Sequence, residues 1–133
     1  MKRVLGLAIL AGVLGLGASC GGDGPTNNGP GDLHVRLTAP AANIDSAIVF
    51  TINGPAALTS VTPGVGLRLF QQPLGGTTTR FALTGLLSNG ATILTMHVQD
   101  VSLLSQYSGS VDGVTQANYQ LRTLAGYALA LTR

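Results

Sequence analysis

The chain has 133 residues, room for one domain. Seven Lys and Arg face five Asp and no Glu, but Lys2 and Arg3 sit at the extreme N-terminus, and beyond them five Arg and five Asp cancel. That balance argues against nucleic-acid binding, which needs a concentrated positive field to displace counterions from phosphates. Past Arg3 there is no Lys either, while Thr, Ser, Ala, Leu, Val and Gly are abundant. Helix surfaces draw on Glu, Lys, Gln and Arg, whereas Thr and Val favour strands, so the composition leans towards an all-β protein.

In chain order, the first element is an N-terminal apolar helix. Lys2 and Arg3 precede a 13-residue apolar run from Val4 to Leu16, then Gly17, Ala18, Ser19 and Cys20. The run is too short for a bilayer core about 30 Å thick, which takes about 20 residues. It has the length of an export-signal core ending in small residues. Gly17-Ala18-Ser19-Cys20 resembles the lipobox of bacterial lipoproteins, although Leu16 stands one place earlier than that family's usual Leu. The resemblance implies a signal peptide over 1–19 and lipidation of Cys20, the chain's single cysteine. Membrane attachment through that lipid follows, since acyl chains contribute about 0.8 kcal/mol per buried CH₂. Gly21 in place of Asp then favours the outer membrane of a bacterial envelope; without lipidation the chain is expected to be secreted. No second cysteine exists to form a disulfide, so stability must come from core packing.

Residues 20–31 read as the lipidated Cys followed by a tether. Gly21 to Gly31 is GGDGPTNNGPG, with nothing apolar to offset its ordering entropy. As a flexible chain it spans on the order of 17–20 Å.

From 32 to 133 the apolar period is two. Leu33, Val35 and Leu37 alternate with His34, Arg36 and Thr38, predicting a half-buried strand. Ala47 to Ile52 is apolar on both faces and reads as a central strand, ended by Asn53-Gly54-Pro55. Leu58 to Val61 is a short strand, and Leu67 to Gln71 follows, with Leu67, Leu69 and Gln71 opposite Arg68 and Phe70. Gly75-Gly76 turns the chain into Thr79 to Leu83, and Asn89-Gly90 into Thr92 to Gln99. Tyr107 to Thr115 reads as a polar strand or a hairpin broken at Asp112-Gly113. Gln116 to Leu124 fits a loop, a short helix or a strand, and Tyr127 to Leu131 is the last strand. About eight strands with turns between them predict an antiparallel β-sandwich of Ig-like or jelly-roll type.

The segments AIVFTI, NGPAAL and RFALTGLLSNGATILTMHVQD resemble bacterial cohesin-like modules, with Gly85, Leu86, Gly90 and Leu94 in comparable places. The resemblance covers about half of the domain and implies a sandwich.

Chemistry is sparse. His34 and His97 alternate with apolar residues and are expected to point away from the core or to sit at its edge. His97 could be joined on paper to Asp100 and a serine, but there is no nucleophile elbow, and no acid, base and nucleophile converge in sequence. The expectation is therefore a non-enzyme without cofactor. Two histidines and one cysteine fall short of a zinc set. Tyr107 and Tyr119 are the candidate ligand-binding residues, as a stacking platform for a sugar or small ligand; the alternative packs both at the sheet edge. The functional expectation is a monomeric, non-catalytic binding or interaction module that engages an envelope or surface protein. A carbohydrate- or small-ligand-binding domain and a structural envelope protein are the alternatives.

Overall fold

The computed structural model describes residues 29–40 and 44–133. The expected signal peptide over 1–19, Cys20 and the expected tether as far as residue 28 lie outside the described residues. Among the described residues, no helix is long and apolar enough to cross a membrane.

Among the described residues eight strands form: β1 (Gly31–Thr38), β2 (Asp45–Asn53), β3 (Ser60–Pro63), β4 (Arg68–Gly75), β5 (Thr78–Leu87), β6 (Thr92–Val98), β7 (Ser108–Gln116) and β8 (Ala128–Thr132). They make two four-stranded antiparallel sheets, ordered β3-β6-β1-β8 and β4-β5-β2-β7, which pack as an all-β sandwich. Only β4 and β5 are joined within one sheet; every other connection crosses to the opposite sheet. The inward residues alternate as the sequence dictates. Leu33, Val35 and Leu37 of β1 and Leu94, Met96 and Val98 of β6 meet Ile48, Phe50 and Ile52 of β2 and Phe81 and Leu83 of β5, all buried. The Phe50 and Phe81 rings lie 5.5 Å apart and tilted by 32°. Such a pair adds about 1 kcal/mol beyond the burial of its area.

Several boundaries move from the sequence expectation. β3 begins two residues later, at Ser60, because the Thr59 amide donates to the His97 carbonyl and only then does the ladder open. β4 runs past Pro73 to Gly75 because it is an edge strand, where a missing N–H breaks no ladder bond. β7 is one continuous strand, neither broken nor a hairpin at Asp112-Gly113. Phe50 pairs with Val111 and Val49 with Gly113, so Asp112 is the extra residue of a bulge. A second bulge lies in β5: Asp45 pairs with Leu87 but Ala47 with Thr84. A 3-10 helix over Val101–Gln106, absent from the sequence reading, joins β6 to β7. Of the stretch Gln116 to Leu124, Gln116 ends β7 and the rest is a loop, with one isolated bridge between Thr115 and Leu121.

The sandwich has two poles. Gly29, the start of β1, the 3-10 helix, Tyr107 and the β4–β5 hairpin share one pole, here the entry pole. Residue 44 and the connections 64–67, 88–91 and 117–127 share the other, the far pole.

Candidate functional site

A candidate surface site lies on the outer face of the β4-β5-β2-β7 sheet, where it meets the far pole. Alternation sends Ala47, Val49 and Thr51 of β2 outward, beside Arg80, Ala82 and Thr84 of β5 and Arg68, Phe70 and Gln72 of β4. Ala47, Val49, Thr51, Ala82 and Thr84 among them form a shallow floor of small side chains. At the far pole it deepens into an open groove of about 500 Å³, floored by Ser46, Ala47, Thr84 and Gly85 and edged by Leu86 and Tyr119. The β5 bulge explains Leu86, which lies 75% exposed beside the bulge's Gly85. Bulges commonly re-aim a side chain in this way. Gly85 itself has φ 139°, and a Cβ there would stand 2.8 Å from the Gly66 carbonyl oxygen. The groove thus depends on a glycine that lets the 64–67 loop close against β5.

Tyr119 is 83% exposed at φ 65°, the one non-glycine residue at positive φ among the described residues. The turn around it supplies the restraint. The Tyr119 amide donates to the Gln116 carbonyl, the Gln116 amide to the Gln120 carbonyl, and the Gln120 amide to the Asn118 side chain. A strained, exposed aromatic held by its neighbours is a feature met at binding sites.

Beneath the groove lies a buried polar cluster. Asp45, 2% exposed, accepts from Arg122 Nε at 2.8 Å and from the Tyr127 hydroxyl at 2.7 Å. These two bonds clasp the long β7–β8 connection to the start of β2. A buried carboxylate is tolerable only with such partners. Nearby, the Ser46 hydroxyl donates to the Gln116 carbonyl at 2.7 Å, while the buried Thr115 hydroxyl has no hydrogen-bond partner among the described residues.

The two tyrosines singled out from the sequence do not come together. Tyr107 and Tyr119 flank the nine residues of β7, about 30 Å of strand. Tyr107 is also buried, its ring lying where a Cβ on Gly54 would sit. Burial pushes its phenol pKa up, and the nearby Asp100 charge adds to the shift. Tyr107 and Tyr119 therefore form no joint platform, and of the two only Tyr119 is exposed. Tyr107 was an apparent surface candidate because it sits among polar residues in sequence; the 3-10 helix that turns it inward leaves no periodic signal.

The histidines do face outward, on the opposite sheet. His34 Nδ1 lies 3.2 Å from the Thr95 hydroxyl. His97 Nδ1 lies 2.9 Å from Asp32, its neighbour across β1 and β6, and not beside Asp100. Asp100 instead caps the 3-10 helix, accepting from the Ser102 hydroxyl at 2.6 Å and amide at 2.9 Å and from the Gly29 amide at 3.2 Å. These donors, the Ser102 hydroxyl foremost, hold its carboxyl below the usual value. Ser60 stands opposite His97 on β3, completing a Ser-His-Asp row by register, on an open sheet face where the pair is 40% and 55% exposed. Among the described residues, no group of three or more His, Cys, Asp or Glu side chains is placed to hold a metal ion.

Against known proteins, the chain matches no family model, no curated sequence and no solved structure.

Proposed function

We propose that this chain is a lipid-anchored protein of a bacterial envelope whose sandwich is a non-catalytic interaction module, presenting the far-pole groove to a partner protein. The anchor rests on the residues around Cys20. One structural observation carries the module: the distribution of exposed apolar side chains. Ile44, Val65, Leu86, Tyr119, Leu121 and Leu124 are exposed at or beside the far pole, against Leu74 at the entry pole and Phe70 on the outer face of β4. Residues 1–28 join the sandwich at Gly29, on the opposite pole, where Val101 covers Gly31 and Tyr107 lies under Gly54. Exposed apolar side chains gathered at one end of a domain, two of them edging a groove, are a mark of an interaction site. Its position opposite the attachment point is where an anchored module would meet a partner.

Two experiments test this. The intact mass of the protein from a membrane fraction, with and without Cys20→Ser, reads the anchor. Added acyl mass that the variant lacks is the expected result; an unmodified soluble chain overturns it. A photo-crosslinking residue at Leu86 or at Thr62, on the opposite sheet, reads the face in cells. A discrete adduct from position 86 alone is expected, and equal labelling from both overturns the assignment of the face.

A glycan-binding reading is favoured by one observation, the exposed Tyr119 ring beside the Thr84 hydroxyl. Retention on immobilised glycans that Tyr119→Ala abolishes would select it.

A further inference from the structure

We infer that the far-pole groove takes an extended acidic segment of a partner protein, seating an apolar side chain between Leu86 and Tyr119 and a carboxylate on Arg68. This rests on the interaction-module reading and specifies its partner by charge.

The charge of the chain is balanced overall but not along the sandwich. Arg36, Arg68 and Arg122 reach the far pole: Arg36 donates to the Gly90 carbonyl, Arg68 opens β4 next to the 64–67 loop, and Arg122 reaches Asp45. Asp45 is the one carboxylate there among the described residues, and Arg122 and Tyr127 already occupy it. The other described aspartates lie elsewhere. Asp32 and Asp100 are at the entry pole, and Asp112, at mid-strand, faces Arg80 at 3.6 Å and accepts from the Thr51 hydroxyl at 2.6 Å. The far pole is therefore net positive, and Arg68 has no carboxylate partner among the described residues.

Arg68 is also placed to act. It pairs directly with Thr84, part of the groove floor, so its side chain leaves the same outer face one strand away. Apolar rims, a floor of small residues and an unpaired guanidinium at one side complement a segment that alternates apolar and acidic side chains. Arg favours carboxylates because its planar fork can bind both oxygens. An anionic bilayer would share the charge but would engage loop tips, chiefly the fully exposed Val65, and would leave the groove unused.

The test pans a phage-displayed library of random dodecapeptides on the full chain, then measures the affinity of a synthetic copy of the enriched sequence. The expected peptides carry net negative charge and an aliphatic or aromatic anchor. Arg68→Gln should weaken the synthetic peptide about threefold, as for an exposed ion pair. Tyr119→Ser and Leu86→Ser should each weaken it about tenfold, as for truncated interface anchors. The three positions are exposed, and an unchanged Tm shows that the variants fold. No enrichment, enrichment of neutral or basic peptides, or indifference to all three substitutions overturns the inference. So does retention on phosphatidylglycerol vesicles that Val65→Ser abolishes while Leu86→Ser does not. If position 86 crosslinks a partner in cells but no acidic peptide binds, only the charge class fails; if neither occurs, the interaction face fails with it.

Discussion

The two poles are built from the same strands yet treat their surfaces differently. At the entry pole, polar groups satisfy one another and most apolar groups are covered, Leu74 of the β4–β5 hairpin excepted: Asp100 caps the 3-10 helix, His97 meets Asp32, and Tyr107 is buried under Gly54. At the far pole, one buried clasp, Asp45 with Arg122 and Tyr127, holds the connection that carries Tyr119 and Leu121, while those residues and Leu86 face solvent. One end of the sandwich spends its polar residues on closure. The other buries one polar clasp and leaves apolar side chains out beside it, an arrangement that folding alone does not favour.

Removing the clasp should break this contrast most strongly. Arg122→Ala leaves the Asp45 carboxylate buried without its cationic partner, and stability should fall by about 3 kcal/mol in urea unfolding. The loss should be accompanied by faster proteolysis within 117–127. A fall below about 1 kcal/mol would mean that the far pole is held by something else.

The entry pole should resist added volume. A Cβ on Gly54 would stand 2.3 Å from the Tyr107 ring, which is rigid, so Gly54→Ala should cost about 2 kcal/mol by overpacking. Equivalent stability would show that Tyr107 can leave its site.

Beside the groove, Thr115→Val removes a buried hydroxyl without a partner among the described residues and keeps the branched shape. Stability should rise by up to about 1 kcal/mol. The exposed position Leu86, changed to Ser, should shift stability by no more than about 0.5 kcal/mol, which separates its role in binding from any role in folding.

The smallest effect is in acid. Asp100 has its pKa lowered in the folded chain, so its contribution is present above the unfolded value of 3.8 and disappears as pH falls through the lower folded value. An Asp100→Asn variant should therefore unfold with a shallower pH dependence below pH 3.8 than the parent. Identical acid profiles would remove Asp100 from the cap.

Much of the sandwich was legible in the sequence because a period of two is a local property. Leu33, Val35 and Leu37, the two-faced run Ala47 to Ile52, and Leu94, Met96 and Val98 declare their buried faces without reference to any neighbour. Phe70 was legible as opposite in face to Leu67 and Leu69, and it is exposed. The groove was not. Its floor joins β2 to β5 and its rim comes from the β7–β8 connection, pieces that only strand pairing brings together.

By itself the sequence determined the β class, the outward histidines and the strand faces, because alternation, turn glycines and composition act within a few residues. Tertiary structure alone decided that Tyr107 is buried and Tyr119 exposed, that His97 meets Asp32 instead of Asp100, and that Leu86 borders a groove. Each of these depends on sheet order, register or a bulge, and register is set by packing summed over whole strands, which no single segment encodes.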